Sequence, residues 1–568
     1  MAIFQKSIKY RESYITTLAR LFEYSTTVYK DNLVSKMPDS DQVYTYGTFR
    51  EKCYEISQLL CRYGIGGGDK VAIVSQNMPN WSIAMFSTVT FGRIFVPILP
   101  DSSTNEITNI LNHSETKVLF VSQRMLPKIS EECLNKMTLV FDVETLEVIK
   151  RDNDAFTCDG RTLDPLPDDI ACLIYTSGTT GKAKGVMLSH RNFCANIFSS
   201  YFAHKANHKD VWLSILPMAH TYELSIGMLY PFSVGACVVY MKKPPTPTIL
   251  LKMMQDIRPT IILSVPLIME KIYKGSILPT IARSKVLTWL QKHMPKLLYS
   301  LIGAKLRKMF GGRLVFFGVG GSKLNPTVEE FLYKAKFPYA IGYGLTETAP
   351  LICGCEKKTR KIGFTGPAVH RVTVKLINVN PATGEGELVC KGPNVMLGYY
   401  KDAARTREVF TEDGWFKTND LAIVDENGKY SIIGRKSNVI LGASGENIYP
   451  EEIEDVINNM SGIAESLVME KDGKLVALVH IDENILNWNQ EGEDEFLKKV
   501  EDIKESVLSF VNKRVNKSSK VQNVEIVKDF EKTATHKIRR SVYKNKDVEE
   551  SGEKTSNDQI SQSSENKE

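Results

Sequence analysis

The sequence predicts an α/β chain of more than one domain, and three observations point there. Its 568 residues are too many for one ordinary hydrophobic core. Short apolar, strand-like runs alternate with helix-like segments through the first two thirds. From about Gly363 the texture changes to short strands separated by frequent turns. Hydrophobic residues make up 43% and charged residues 24%, which suits a globular protein and excludes disorder throughout.

In chain order, residues 70–75 (KVAIVS) read as a buried strand and 81–91 as an apolar helix. Residues 96–99, 118–122 (VLFVS) and 170–174 read as further strands. Strands apolar on both faces belong in parallel sheets covered by helices. Between about 363 and 433 the strands are 372–378, 386–391, 422–426 and 429–433, and Asn427-Gly428 between the last two is a hairpin signal. A helix is expected over 449–459, with Pro450 in its first turn and Glu451, Glu452 and Glu454 behind it. Strands at 464–470 and 475–481 follow, in a small α+β domain running to about Tyr543. Residues 545–568, rich in Ser, Asn, Glu and Lys without periodicity, read as a disordered tail.

The formal charge is +6, from 72 basic and 66 acidic residues, too small an excess for a dedicated nucleic-acid binder. Ten cysteines are scattered, with a CxC at Cys353 and Cys355 but no CxxC and no Cys/His set at zinc spacing. They read as small buried hydrophobes of a reducing, cytoplasmic compartment. Residues 1–25 contain no apolar run of signal-peptide length, and no stretch offers ~20 uninterrupted apolar residues for a membrane span. One segment stands apart. Residues 283–310 carry seven Lys/Arg and no acid among Val286, Trp289, Leu290, Leu297, Leu298, Leu301, Leu306 and Phe310, with Pro295 splitting them into two helices. Such a segment is either an amphipathic surface for anionic lipid or an ordinary helix pair with a solvated basic face.

The sharpest chemical signal is the run at 175–185, YTSGTTGKAKG, after the strand at 170–174. Its three glycines let backbone N–H groups approach phosphate oxygens, its hydroxyls add donors, and Lys182 adds a positive charge. Read alone, the run is equally a polar turn, and P-loop spacing is absent. The run resembles the phosphate-binding signature of the adenylate-forming superfamily of acyl-CoA synthetases, luciferases and peptide-synthetase adenylation domains, and further stretches follow in that family's order. Residues 318–323 (GVGGSK) resemble its adenine-side loop, with Ser322 and Lys323 replacing the usual Ala and Pro. Residues 343–347 (YGLTE) resemble YG-x-TE, and Thr418-Asn419-Asp420 resembles TGD with Asn for Gly. Gly434-Arg435 and 444–450 (SGENIYP) resemble the hinge and the loop beyond it, with Ser437 where the family has Asp or Lys. Residues 532–540 (KTATHKIRR) resemble K-T-x-x-G-K-x-x-R, with His536 replacing Gly. The resemblance covers about Thr45 to Arg540.

It implies a large N-terminal domain, 1–434, of two parallel-type sheets with helices and a β-rich subdomain at about 363–433. A small mobile C-terminal α+β domain, 435–544, would follow. It also implies the site. Thr176, Ser177, Gly178, Thr179, Thr180, Gly181 and Lys182 would hold the phosphates of ATP. Gly320, Gly321, Ser322, Gly342, Tyr343, Gly344 and Thr346 would line the rest of the nucleotide site. Asp420 would accept from the ribose hydroxyls and Arg435 would bind the same nucleotide. Glu347 would hold Mg²⁺, and His220, in 216–223 (LPMAHTYE), would gate the passage beside the reacting carboxylate. Lys537 would be the catalytic cation, while Ser444 and Gly445 would serve the CoA step. The chemistry agrees, because a carboxylate attacking an anionic phosphate needs cations and donors where charge develops.

The implied reaction is AMP-forming acid–CoA ligation. The wording of 283–310 and of 442–450 resembles long-chain acyl-CoA synthetases, so a fatty acid is the expected substrate, with peripheral contact at the inner face of a membrane through 283–310. Transfer to a carrier-protein thiol, or a different carboxylic acid, remain alternatives.

Overall fold

The structure, a computed structural model, describes residues 8–152, 163–176, 184–242, 247–442, 447–482, 486, 493–533 and 537–543. The chain forms two compact units: one covers most of the chain up to Ile432, the other runs from Ile433 and includes Asn419–Ala422.

The first unit carries two eight-stranded sheets. One contains β1 (Lys70–Val74), β2 (Ile94–Ile98), β3 (Val118–Val121), β4 (Leu139–Asp142), β5 (Ile170–Thr176) and β6 (Lys184–Ser189). Its centre, β5-β2-β1-β3-β4, is parallel, as the doubly apolar strands required. Its edges are antiparallel: β6 returns beside β5, and Val148–Arg151 pairs with β4. The antiparallel β5–β6 pair joins through the glycine-rich run, a connection too short for a parallel crossover. The apolar helix α1 (Pro79–Val89) is buried along its whole length.

The second sheet contains β7 (Val211–Ser214), β8 (Cys237–Tyr240), β9 (Ile261–Ser264), β10 (Phe316–Val319), β11 (Tyr339–Gly344) and β12 (Leu351–Gly354). Its order is β12-β11-β10-β9-β7-β8, continued by Leu33–Lys36 and Val43–Thr45. The strands β7 to β11 are mutually parallel, so their carboxyl ends share one edge. The basic segment forms α2 (Lys285–His293) and α3 (Pro295–Met309), with Pro295 opening α3. Leu298, Leu306 and Phe310 pack into the core with Ile262, Phe317 and Phe337. Val286, Trp289, Leu297 and Leu301 stay exposed.

A four-stranded sheet has the order β13 (Thr373–Ile377), β14 (Gly386–Lys391), β15 (Phe416–Val424), β16 (Tyr430–Arg435). The expected turn forms: Gly428 has φ +71°, and the Asp425 carboxylate accepts from Asn427 N–H at 3.0 Å and Lys429 N–H at 2.9 Å. The strand expected at 422–426 starts earlier, at Phe416. Its inward positions alternate as Phe416, Thr418, Asp420 and Ala422, and the polar pair hides the period-two pattern.

The second unit is a three-stranded sheet, β17 (Ile463–Lys471), β18 (Lys474–Ile481), β19 (Asn523–Val527), in that order. Helices α4 (Pro450–Ile457) and α5 (Glu493–Asn512) cover one face through Ile453, Ile457, Val507 and Val511. The sequence reading passes over α5, although Phe496, Val500, Ile503, Val507 and Val511 recur at helical spacing.

Candidate active site

Three chemistry-bearing segments of the first unit, at 320–322, 342–347 and around His220, follow the carboxyl ends of the second sheet's parallel strands, where open α/β sheets bind ligands. β10 runs into Gly320, Gly321 and Ser322, and its parallel neighbour β11 carries Gly342, Tyr343 and Gly344. A Cβ on Gly344 would stand 1.8 Å from the Pro350 carbonyl oxygen, so only glycine fits that turn. Thr346 and Glu347 follow in a 3₁₀ turn, Thr346–Thr348. The Asn196 amide braces that turn, donating to Thr348 O at 2.9 Å and accepting from Leu351 N–H at 2.8 Å.

Glu347 accepts from the Tyr399 hydroxyl at 2.9 Å. Burial, then the charge of Glu347, raise the pKa of the Tyr399 hydroxyl, which keeps it protonated and a donor. Lys184 sits 5.4 Å from the Tyr399 ring centroid, and desolvation, then Arg405, lower its ammonium pKa. Sequence reasoning missed Tyr399. Its one signal is the preceding Gly398, at φ +140°.

Past the end of β7, the loop carrying His220 turns on a His220 N–H to Pro217 O bond of 3.0 Å. Tyr222 N–H donates to His220 Nδ1 at 3.2 Å, which leaves the proton of a neutral ring on Nε2. The Tyr222 ring fills the space that Cβ atoms on Gly318 and Gly320 would need. Beside it lies a small cavity, lined by Trp212, Tyr230, Leu263, Phe316 and Ile341 among others, without a charged side chain. Its His204 stacks on Phe316 at 4.4 Å, and burial lowers the imidazole pKa so that the ring stays neutral.

Thr176 ends β5, paired with Lys184. Ser177, Gly178, Thr179, Thr180, Gly181 and Lys182 lie outside the described residues, as do Ser444, Gly445 and His536.

The second unit joins Asp420, Arg435 and Lys537. Asp420 is 3% exposed and pairs with Arg435 Nε at 2.9 Å. Desolvation and the Arg435 guanidinium lower the ammonium pKa of Lys537, while Asp420 opposes them. The Lys537 side chain is solvent-accessible. Asn419, where the resembling motif has Gly, takes φ +61°, a region Asn tolerates better than other side chains. Its amide donates to Ser437 Oγ at 3.1 Å, so two departures from the motif pattern meet. Arg540 is tied to the buried Glu454 at 2.6 Å and fixes the end of the Lys537 run.

The model of the AMP-binding enzyme family matches residues 22–400, two thirds of the chain. The chain belongs to the AMP-binding enzyme family. This AMP-binding enzyme is an AMP-forming acid–CoA ligase. It is 30% identical over 497 residues to peroxisomal long chain acyl-CoA synthetase 6 of Arabidopsis thaliana, covering 78% of this chain and 69% of that one. It is 30% identical over 492 residues to the long-chain-fatty-acid–CoA ligase FadD15 of Mycobacterium tuberculosis, covering 79% and 80%. Among solved structures, the o-succinylbenzoate CoA synthetase MenE of Bacillus subtilis, in complex with ATP and magnesium, matches its fold. The TM-score is 0.71 at 22% identity, over 92% of this chain and 98% of that one.

Proposed function

We propose that this enzyme is an ATP-dependent long-chain fatty acid–CoA ligase. The observation that carries the acid's identity is the apolar, uncharged lining of the cavity against Tyr222, Gly318 and Gly342. An alkyl chain gains by burial there, whereas the second carboxylate of a diacid would be buried unpaired. The long-chain relatives support the same reading.

The acid's carboxylate attacks the α-phosphate of ATP, giving acyl-AMP and pyrophosphate. The CoA thiol then attacks the acyl carbonyl and expels AMP. Thr176 to Lys182 cradle the phosphates, Gly320 to Ser322 and Gly342 to Thr346 line the nucleotide, Asp420 accepts from the ribose, and Arg435 and Lys537 bring positive charge to the first step. Ser444 and Gly445 serve the second, and His220 gates the passage. Among the described residues there is no cluster of three or more metal-ligating side chains. A single carboxylate, Glu347, suits Mg²⁺, which is commonly held by one or two carboxylates together with substrate phosphates. When bound, the ion neutralises phosphate charge. Domains at 1–434 and 435–544 divide the work. Among the described residues no helix is long and apolar enough to cross a membrane. The exposed apolar and basic face of α2 and α3 instead docks on the inner, anionic face of a membrane.

The test is AMP release across saturated acids of increasing chain length and across short diacids, with CoA as acceptor. The expected outcome is a kcat/KM maximum at long chains and no turnover of diacids. A maximum at a short acid or a diacid overturns the long-chain reading.

A further inference from the structure

Between the His220 loop and the Glu347 turn lies a carboxylic acid with no part in the reaction as written. Glu223 is 2% exposed and opens a π-helix, Glu223–Leu229, a widened turn that recurs at functional sites. Its carboxyl faces the Ser214 hydroxyl, and among the described residues its Oε2 has no hydrogen-bond partner. A Cβ on Gly227 would stand 2.5–2.8 Å from the carboxyl atoms, so the acid occupies the room that the glycine leaves.

Ser214 extends the contact. Its Oγ accepts from Asn77 Nδ2 at 2.9 Å. The same amide spans the start of the His220 loop, donating to Leu216 O at 2.6 Å and accepting from Met218 N–H at 2.9 Å. At the other end, Leu224 N–H donates to His220 O at 3.0 Å. One residue further on, the Ser225 hydroxyl donates to Ala349 O at 2.7 Å, two residues past Glu347.

We propose that Glu223 is a positioning residue: with Ser214 and Asn77 it forms one hydrogen-bonded network that holds the His220 loop in register with the Glu347 turn. The proposal rests on the ligase reading, since it assigns His220 and Glu347 to that reaction. Burial raises the Glu223 carboxyl to about 8, so it is neutral at pH 7 and has a proton to share with Ser214. The other titratable groups facing it, Tyr222 and Tyr240, are pushed up by burial and are neutral as well. Ionisation of Glu223 therefore introduces an unpaired charge into a neutral site. The sign follows: the network is intact below about pH 8 and fails as pH rises through that value.

The experiment compares the parent, Glu223→Gln and Glu223→Ala. It reads kcat and KM for the acid from pH 6 to 10, and amide hydrogen exchange over 216–222. Glu223→Ala should lower kcat at pH 7 by tenfold or more, change KM less, and speed exchange of the loop. Glu223→Gln, which keeps the shape and cannot ionise, should restore both and lose less activity than the parent above pH 8. The proposal is overturned if Glu223→Ala leaves kcat and loop exchange at parental values. It is also overturned if Glu223→Gln declines above pH 8 as the parent does. A parent that turns over no acid would sink the ligase reading instead, and loop exchange in the variants would still decide whether Glu223 holds the loop.

Discussion

The Arg435 guanidinium and the Asp420 carboxylate of the second unit both act on the Lys537 ammonium. Asp420 is already engaged by Arg435 at 2.9 Å. Among the described residues no ion pair engages the Lys537 side chain, which leaves its ammonium for the proposed role at an incoming phosphate. Lys537→Ala should reduce acyl-AMP formation by roughly two decades, the scale of one lost electrostatic group. Conversion of supplied acyl-AMP and CoA to thioester should continue. The check is pyrophosphate exchange beside single-turnover thioester formation, and equal losses in both would show that Lys537 does not separate the two steps. The sequence singles out Asp420, Arg435 and Lys537 by short, spaced motifs, and the structure brings the three together in the second unit. The Asn419 substitution also has a physical reading, since Asn accepts the positive φ that the turn imposes. The sequence does not single out Tyr399 or Glu223 for the candidate site. Tyr399 reaches Glu347 across 52 positions of sequence, and Glu223 owes its character to burial beside Ser214, which no local pattern encodes.

At the scale of elements, α2 and α3 have two apolar faces and only one has a core to meet. Leu298, Leu306 and Phe310 are buried, whereas Val286 is 67% and Trp289 54% exposed. Lys285, Lys292, Lys296, Lys305 and Lys308 are exposed as well. Arg307 stands apart, because its guanidinium donates to Lys336 O at 3.1 Å and is committed to the fold. Each basic residue near an anionic surface contributes about 1 kcal/mol, screened by salt. Replacing Lys285, Lys292, Lys296 and Lys305 by Gln should weaken binding to anionic vesicles by up to several kcal/mol, and raised salt should release the parent. Co-sedimentation at low and high salt reads both. A parent that stays in the supernatant at low salt makes α2 and α3 an ordinary surface pair. The sequence marked this segment by composition and Pro295, but could not tell which leucines the core would take. Period and turn chemistry marked β1 to β3 and the Asn427-Gly428 hairpin well. They marked β15 poorly, because Thr418 and Asp420 stand where apolar residues are expected.

For the whole molecule, the second unit carries a hydrophobic core of its own. Alternate residues of β17 and β18 supply both faces of its sheet: Val468, Ala477 and Val479 pack with Ile453, Ile457, Val507 and Val511 on one side. Leu467, Met469, Val476 and Leu478 pack with Phe530 on the other. A sheet of three strands covered on both faces meets the minimum for independent stability, and a chain of about 110 residues lies in the usual size range of a domain. The Arg540–Glu454 contact ties the end of the chain to α4 within the same unit. Cutting before Ile433 removes Asn419–Ala422 and so the Asp420–Arg435 pair. Arg435 is 44% exposed in that pair, which limits the loss to about 1 kcal/mol or less. Residues 433–543 expressed alone should therefore fold, with dispersed amide resonances and a cooperative thermal transition, and should form no acyl-AMP. The intact chain should then melt in more than one step, since two separate cores need not unfold together. Random-coil chemical shifts for the fragment would mean that this core is insufficient without the first unit, and a single two-state transition of the intact chain would argue for the same dependence.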